Sequence, residues 1–243
     1  MTTRRTGPAL GTIAALAAAT QYAPSMVALG QWTSLRSLPG GLCRWKGPRF
    51  PPRVALTFDD GPDPIWTPQV LDALDQLGVR ATFFVLGERA RRRPDLVSDI
   101  AARGHELASH GDEHEHHLLR SPGWVLGDIE RARATLAELG HPPRWYRPTY
   151  GQASGATLVL ARAMGLETVL WSAWGREWTT SEPQDVAARI TRRLGPGAVV
   201  LFHDSDRFGP TGMCRAVLGA LPLVATELQR RRLSAVTMDE LVA

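Results

Sequence analysis

Cysteine and lysine are both scarce in this chain of 243 residues, and it contains no long apolar run. Its two cysteines, Cys43 and Cys214, cannot form a disulfide framework or a four-thiolate zinc site. We expect two unpaired thiols, although one bridge between them is compatible with the sequence. No stretch of about 18 consecutive apolar residues occurs, which excludes a long, unambiguous transmembrane helix. With 44% hydrophobic and 21% charged residues, the composition excludes a wholly disordered or fibrous chain.

Positive charge comes almost entirely from arginine, because Lys46 is the only lysine and the formal net charge is +4. The densest basic cluster spans residues 88–93, and a smaller one spans residues 230–232. Both clusters are short and fall where we expect helix ends, so we interpret them as solvated surface. The sequence therefore predicts no nucleic-acid partner.

The first 50 residues differ in composition from the rest. An arginine pair at residues 4–5 precedes an alanine-rich run over residues 9–19, which is the outline of a secretory signal. The alternative is an alanine-rich helix that lies against the domain or against a membrane surface. We favour export or peripheral membrane association over a cytoplasmic location, and we interpret residues 38–41 as a linker.

Residues 51–243 alternate between short apolar runs and segments with helical spacing, and we expect them to form one domain. The apolar runs are continuous, which is typical of buried parallel strands. The pattern predicts an α/β fold, a distorted or incomplete (β/α) barrel of about seven strands, with an open doubly wound sheet as the alternative. The predicted strands are 54–58, 81–86, 106–109, 145–147, 168–171, 198–202 and 234–237. The predicted helices are 67–77, 94–102, 121–139, 155–164, 183–194 and 214–231.

Polar residues follow five of the predicted strands. In a barrel the carboxyl ends of the strands lie on one rim, where active sites are built, so we expect these residues to meet there. They are Asp59 and Asp60, His110 and His114, Arg147 and Tyr150, the segment from Trp171 to Glu177, and His203 and Asp204.

A metal site is predicted from Asp60, His110 and His114. The two histidines are four residues apart, so one helical turn would place both imidazoles on one face. Two histidines and one carboxylate hold a divalent cation and leave coordination positions for water and substrate. Zinc is the first choice, and cobalt, nickel or iron also suit this ligand set.

The sequence allows two interpretations of the role of each of four further residues. Asp59 is either a free carboxylate that acts as a base or part of an Asp-Asp-Gly-Pro turn. Arg147 either holds a carboxylate ionised or forms a surface ion pair. Tyr150 either presents its backbone N–H to an oxyanion or belongs to an ordinary loop. His203 is either a general acid or a hydrogen-bonded core residue.

Five short motifs occur in order over about residues 50–240. They are Thr57-Phe58-Asp59-Asp60-Gly61-Pro62, His110-x3-His114, Arg147-Pro148-Thr149-Tyr150-Gly151, Trp171 through Trp178, and Leu201-Phe202-His203. Together they resemble the polysaccharide deacetylase family, the NodB-homology group or carbohydrate esterase family 4. The resemblance implies a distorted (β/α) barrel and a hydrolase that removes N-acetyl, or alternatively O-acetyl, groups from a carbohydrate such as chitooligosaccharide or peptidoglycan. It implies catalysis by metal-activated water.

The resemblance also implies a role for each matching residue. The implied roles are a general base at Asp59, metal ligands at Asp60, His110 and His114, a residue that positions the base at Arg147, an oxyanion donor at the Tyr150 N–H, an acetyl pocket at Trp171 and Leu201, and a general acid at His203.

The sequence departs from the family pattern at three positions. Gly111 stands where the family usually has Ser or Thr, and Trp174 replaces an acidic residue. Glu177 replaces the usual aspartate, and its carboxylate, one methylene longer, is expected to orient His203. Because the ligand set and both proton-transfer groups are intact, we expect an active enzyme. Two alternatives remain: a metal-dependent amidase that acts on a non-sugar N-acyl substrate, and a non-catalytic carbohydrate-binding relative.

Overall fold

The computed structural model describes residues 43–243, in which eight strands form one parallel sheet. The strands are β1 (Arg53–Asp59), β2 (Thr82–Val85), β3 (Glu106–Ser109), β4 (Trp145–Tyr146), β5 (Glu167–Thr168), β6 (Ala173–Trp174), β7 (Val199–His203) and β8 (Ser234–Val236). Their order is β5-β4-β3-β2-β1-β7-β6, and β8 pairs with the first residues of β1. No ladder joins β5 to β6 within the described residues, so the curled sheet remains a half-barrel. The prediction of an incomplete (β/α) barrel is confirmed.

Eight α-helices cover this sheet in the described part of the chain. They are α1 (Trp66–Leu77), α2 (Gly87–Arg92), α3 (Pro94–Ala102), α4 (Pro122–Glu138), α5 (Gly155–Ala163), α6 (Pro183–Thr191), α7 (Met213–Arg230) and α8 (Met238–Val242). The sequence missed α2 and α8, because helices of six and five residues are too short to show a period. Helix α4 begins as expected, since the Ser121 side chain accepts the Trp124 N–H at its first turn.

One predicted strand, 168–171, is wrong. The chain instead forms β5, then crosses the open seam of the half-barrel, and then forms β6 at the opposite edge of the sheet. Strands of two residues leave no periodic pattern, so the apolar run at 168–171 was taken for one strand and β6 was missed.

The segment before β1 belongs to the fold. The Arg44 N–H donates to the Thr168 carbonyl at 2.8 Å, and the Gly47 N–H donates to the Gly197 carbonyl at 2.8 Å. This segment therefore bonds to chain on both sides of the seam, and the folded region begins before residue 51, the boundary expected from the sequence. The predicted signal or anchor and the linker at 38–41 lie outside the described residues. No helix among residues 43–243 has the length and apolar character to span a bilayer.

Alternation along β1 determines which side chains reach the site. Leu56 and Phe58 belong to the core between sheet and helices, where Phe58 stacks on Phe83 at 5.0 Å and on Phe202 at 5.4 Å. Ala55 belongs to the cluster on the other face, inside the half-barrel. Because successive side chains point to opposite faces, Asp59 shares the inner face with Ala55.

Candidate metal and active site

Asp59 is the last residue of β1, and its carboxylate is held by a buried arginine. Asp59 is 2% exposed, and its Oδ1 accepts a hydrogen bond from Arg147 Nη1 at 2.6 Å. Arg147 is fully buried and also donates to Thr57 Oγ1 at 2.9 Å and to two backbone carbonyls after β5. Burial lowers the pKa of Arg147, and the Asp59 charge opposes that effect. The surface ion-pair reading of Arg147 is wrong.

The backbone turns at Asp60, which has a φ of +77°, so the Asp60 carboxylate does not follow the strand alternation that directs Asp59. Asp60 Oδ1 lies 3.3 Å from His110 Nε2 and 3.2 Å from His114 Nε2, and all three ligand atoms lie within 4.8 Å of one another. In a tetrahedral zinc site with bonds of about 2 Å, ligand atoms are about 3.3 Å apart. These three residues therefore fit a divalent cation.

The hydrogen bonds around the cluster also fit a metal. His110 Nδ1 lies 2.9 Å from the Arg147 carbonyl, so a proton on Nδ1 leaves the Nε2 lone pair for a cation. Burial raises the pKa of Asp60, but the His110 and His114 rings and the charge of His203 outweigh that effect and hold this pKa well below its usual range. Asp60 Oδ1 has no well-directed hydrogen bond among the described residues. Its short distances to His110 Nε2 and His114 Nε2 are those expected of atoms that would coordinate the same cation.

The helical turn that would place His110 and His114 on one face does not form. The segment is a loop after β3, and Gly111 adopts a φ of +86°. The Asp128 carboxylate accepts the N–H groups of Asp112 and Glu113, so the backbone of this loop is satisfied outside a helix. The two imidazole centroids nevertheless lie 5.7 Å apart, and both rings face Asp60.

His203 ends β7 and contacts a buried carboxylate. Its Nδ1 lies 2.8 Å from Glu177 Oε1, and Glu177 is 1% exposed in the short 3-10 helix Glu177–Thr179. Burial lowers the pKa of His203, but the Glu177 hydrogen bond and the charges of Asp60, Glu177 and Asp59 raise it to about 9. The imidazole is therefore protonated near neutral pH, and Glu177 reaches it despite the extra methylene.

The residues predicted for the oxyanion and the acetyl group lie around one cavity. Tyr150 has a φ of +58°, a sparsely populated conformation for a non-glycine residue, in the 3-10 turn Thr149–Gly151. A Cβ on Gly151 would come within 2.5 Å of the Trp171 ring, so glycine lets this turn pack directly on Trp171. Trp171 and Leu201 are 9% and 1% exposed.

The cavity has a volume of about 480 Å³ and brings together every residue to which the family resemblance assigned a role except Arg147 and Glu177, which lie behind Asp59 and His203. Asp204, also expected on this rim, is buried outside the cavity and accepts a hydrogen bond from the Thr67 hydroxyl. Sequence reasoning missed Phe208 and Met213 in the wall of the cavity, whereas Trp178, which also lines it, belongs to the fourth motif. Phe208 stacks on His114 with ring centroids 4.0 Å apart. Only the fold brings this loop residue back to the metal cluster, so no sequence signal could have found it.

Two residues make contacts that the sequence did not predict. Trp174 packs in the core inside the half-barrel with Arg193 4.5 Å above its ring, so its replacement of an acidic residue has a packing role. Arg89 was predicted to be solvated surface, but it is 9% exposed. It donates to the Asp60 carbonyl and to Asp63 Oδ2, and it thereby holds the turn after β1.

Comparisons with known proteins agree with this geometry. The polysaccharide deacetylase family model matches residues 46–169. A peptidoglycan-N-acetylglucosamine deacetylase from Bacillus cereus is 33% identical over 209 residues, which cover 84% of this chain and 94% of that protein. A chitooligosaccharide deacetylase from Bradyrhizobium sp. is 34% identical over 186 residues, which cover 73% of this chain and 85% of that protein.

The fold is similar to a solved structure of the same kind. The crystal structure of the Bc1960 peptidoglycan N-acetylglucosamine deacetylase, in complex with 4-naphthalen-1-yl-N-oxidanyl-benzamide, superimposes with a TM-score of 0.77 and 31% identity. The match covers 83% of this chain and 92% of that one. Sequence motifs, fold and the cluster of Asp60, His110 and His114 agree, and this chain belongs to the polysaccharide deacetylase family.

Proposed function

We propose that this protein is a metal-dependent deacetylase that removes N-acetyl groups from a cell-wall type carbohydrate, peptidoglycan or chitooligosaccharide. The observation that supports this most strongly is the cluster of Asp60, His110 and His114 in the same cavity as Asp59 and His203. The names of the Bacillus cereus and Bradyrhizobium relatives supply the two substrate classes.

Zinc is the cation we propose for the cluster, with cobalt, nickel or iron as alternatives that the same donors suit. Held by Asp60, His110 and His114, a divalent cation supplies Lewis-acid polarisation of a substrate carbonyl and of a water molecule. The spacing of the three ligand atoms and the contact of His110 Nδ1 with the Arg147 carbonyl support a divalent cation here.

Asp59 acts as the general base. Its Oδ1 is engaged by Arg147, while its Oδ2 lies 3.9 Å from His110 Nε2 and thus borders the ligand cluster. A water bound beside the cluster can pass its proton to this free oxygen. Arg147 orients Asp59 through the 2.6 Å hydrogen bond to Oδ1 and places a positive charge beside this buried carboxylate.

His203 acts as the general acid, and the remaining residues hold the acetamide. The imidazolium of His203, stabilised by Glu177, protonates the departing amine, since an unprotonated amide nitrogen is a very poor leaving group. The Tyr150 N–H donates to the developing oxyanion, and one such donor is worth about 3 kcal/mol of barrier. Trp171 and Leu201 enclose the acetyl methyl group.

The test is acetate release from a panel of substrates by protein loaded in turn with zinc, cobalt, nickel and iron. Acetylated chitooligosaccharides and peptidoglycan fragments form one arm, and non-sugar N-acyl amides form the other. Release from the sugars, absent in an Asp59→Asn protein, is the expected result. Acetate release only from the non-sugar amides would show that the protein is an amidase for non-sugar substrates. No acetate release by the metal-loaded protein would indicate a non-catalytic carbohydrate-binding relative.

A further inference from the structure

One buried carboxylate on α4 holds the loop that contains His110 and His114. Asp128 is fully buried, and its Oδ2 accepts the Asp112 N–H at 3.1 Å while its Oδ1 accepts the Glu113 N–H at 2.9 Å. These two N–H groups belong to the three residues that separate the histidine ligands. Both carboxylate oxygens of Asp128 are therefore committed to the backbone of the metal-binding loop.

His117 extends this anchor to the end of the loop. It is fully buried, its Nε2 lies 3.2 Å from Asp128 Oδ2, and its Nδ1 lies 3.2 Å from the Tyr146 hydroxyl. Burial and the Asp128 charge raise the pKa of Tyr146, so its hydroxyl keeps its proton and can donate to Nδ1. His117 then donates from Nε2 to Asp128 and links β4, α4 and the loop.

Gly111 leaves the space that Asp128 occupies. A Cβ at position 111 would lie 2.7 Å from Asp128 Oδ2, and the φ of +86° disfavours any other residue. A side chain at position 111 would therefore clash with the Asp128 carboxylate in its present position. At the position where the family usually has Ser or Thr, this chain has glycine, and the Asp128 carboxylate on α4 holds the loop.

His114 depends on this support more than His110 does. His110 is fixed through its Nδ1 by the Arg147 carbonyl, whereas His114 Nδ1 has no hydrogen-bond partner in the described part of the chain. The direction of His114 Nε2 towards Asp60 is therefore set by the loop backbone and by the rings of Tyr150 and Phe208 that pack on it.

We infer that Asp128 and His117 are positioning residues for the metal site, which hold the loop so that His114 Nε2 faces Asp60, and that Gly111 is required because it makes room for Asp128. The inference rests on the metal site of the proposed function and adds the residues that shape it. It requires no knowledge of the substrate.

The main experiment measures zinc affinity of the metal-free Asp128→Asn protein by competition with a chelating dye, together with its thermal midpoint in chelator. An amide has one acceptor oxygen and an NH₂ group that would face a backbone N–H, so the loop loses one of its bonds. We expect zinc affinity to fall about 10- to 100-fold, the range found when groups that orient metal ligands are removed.

Glu106→Gln is the matched control. At the opposite end of the sheet, Glu106 Oε2 accepts the N–H groups of Met238 and Asp239 and the Thr82 hydroxyl, the same kind of anchor away from the metal cluster. The comparison is made at pH 8, because burial raises the pKa of Glu106 to about 7. We expect this variant to keep its zinc affinity, because the Gln carbonyl oxygen can take the place of Oε2 and accept the same hydrogen bonds.

A zinc affinity of Asp128→Asn within twofold of wild type, with only a lower thermal midpoint, would overturn the inference. Gly111→Ala provides a second route should Asp128→Asn not fold, because its Cβ displaces the carboxylate; unchanged zinc affinity there would also overturn it. A wild-type protein that binds zinc but releases no acetate would defeat the proposed function and leave this inference standing, whereas a wild-type protein that binds no zinc would defeat both.

Discussion

Asp59 and Asp60 are adjacent in sequence, yet their carboxylates lie in different surroundings. Asp59 ends a strand and pairs with Arg147, whereas Asp60 adopts a positive φ and faces His110 and His114. One backbone turn thus separates a carboxylate suited to proton transfer from one suited to metal binding. At the scale of the residue, the chemistry of the site depends on this division.

Substitution of Asp59 by Asn should abolish proton transfer without removing the metal. The Asn side chain cannot act as a base, so we expect kcat to fall at least about 100-fold. Metal content, measured by elemental analysis, should stay near that of wild type, while Asp60→Asn should lose metal and activity together. Comparable metal loss in both variants would contradict the division of roles.

The pairing of His203 with Glu177 predicts a change in the pH profile. His203 must be protonated to act as an acid, so kcat should fall as pH rises through its pKa, which is about 9 without metal and lower beside a bound cation. Glu177→Gln removes a negative partner and should move this alkaline limb at least about one pH unit lower. The exposed Glu182→Gln provides the control and should leave the profile unchanged.

At the scale of the element, strands β1, β2 and β7 combine a core face with a site face. Phe58, Phe83 and Phe202 stack beneath the sheet, while Asp59 and His203, each one residue further along, reach the inner face. The parallel register pairs Asp59 with His203 directly. Packing of the three phenylalanines therefore determines where Asp59 and His203, the proposed base and the proposed acid, lie.

Truncation of the central phenylalanine should destabilise the protein strongly. Phe58 is fully buried between two other rings, and Phe58→Ala should lower the free energy of unfolding by about 3–5 kcal/mol through the lost contacts and the cavity. Denaturant unfolding measures the change. Leu119→Ala, at a side chain 82% exposed, should change it by less than about 0.5 kcal/mol, and equal effects would contradict this account.

At the scale of the whole molecule, the site exists only when the half-barrel is folded. Asp60 and His110 come from the ends of β1 and β3, which are separated in the sheet by β2. The cation therefore binds the native state in preference to the unfolded chain, and binding is linked to stability.

Metal removal should accordingly lower thermal stability as well as activity. Zinc at a hundredfold excess over its Kd should stabilise the native state by about 2.7 kcal/mol relative to protein in chelator. Thermal unfolding followed by circular dichroism measures the difference. His110→Ala should show no zinc-dependent shift, and a shift equal to that of wild type would place the cation elsewhere.

Most of the strands and the predicted site residues followed from local patterns. Continuous apolar runs predicted six of the strands within a few residues. The polar residues at the ends of the strands predicted which side chains would meet on one rim of the sheet. Features without a local signal were missed: the split into β5 and β6, the short helices α2 and α8, and the burial of Arg89. Each of these depends on contacts between distant segments.

The sequence by itself determined the family, the parallel α/β class and the residue types that can hold a metal, because these depend on periodicity and on short motifs. Only the tertiary structure decided that the loop from His110 to His114 is not helical, that Asp128 supports it, and that Phe208 packs on His114. The physical reason is that a ligand's direction is set by its neighbours in space, and those neighbours come from α4, β4 and the loop after β7.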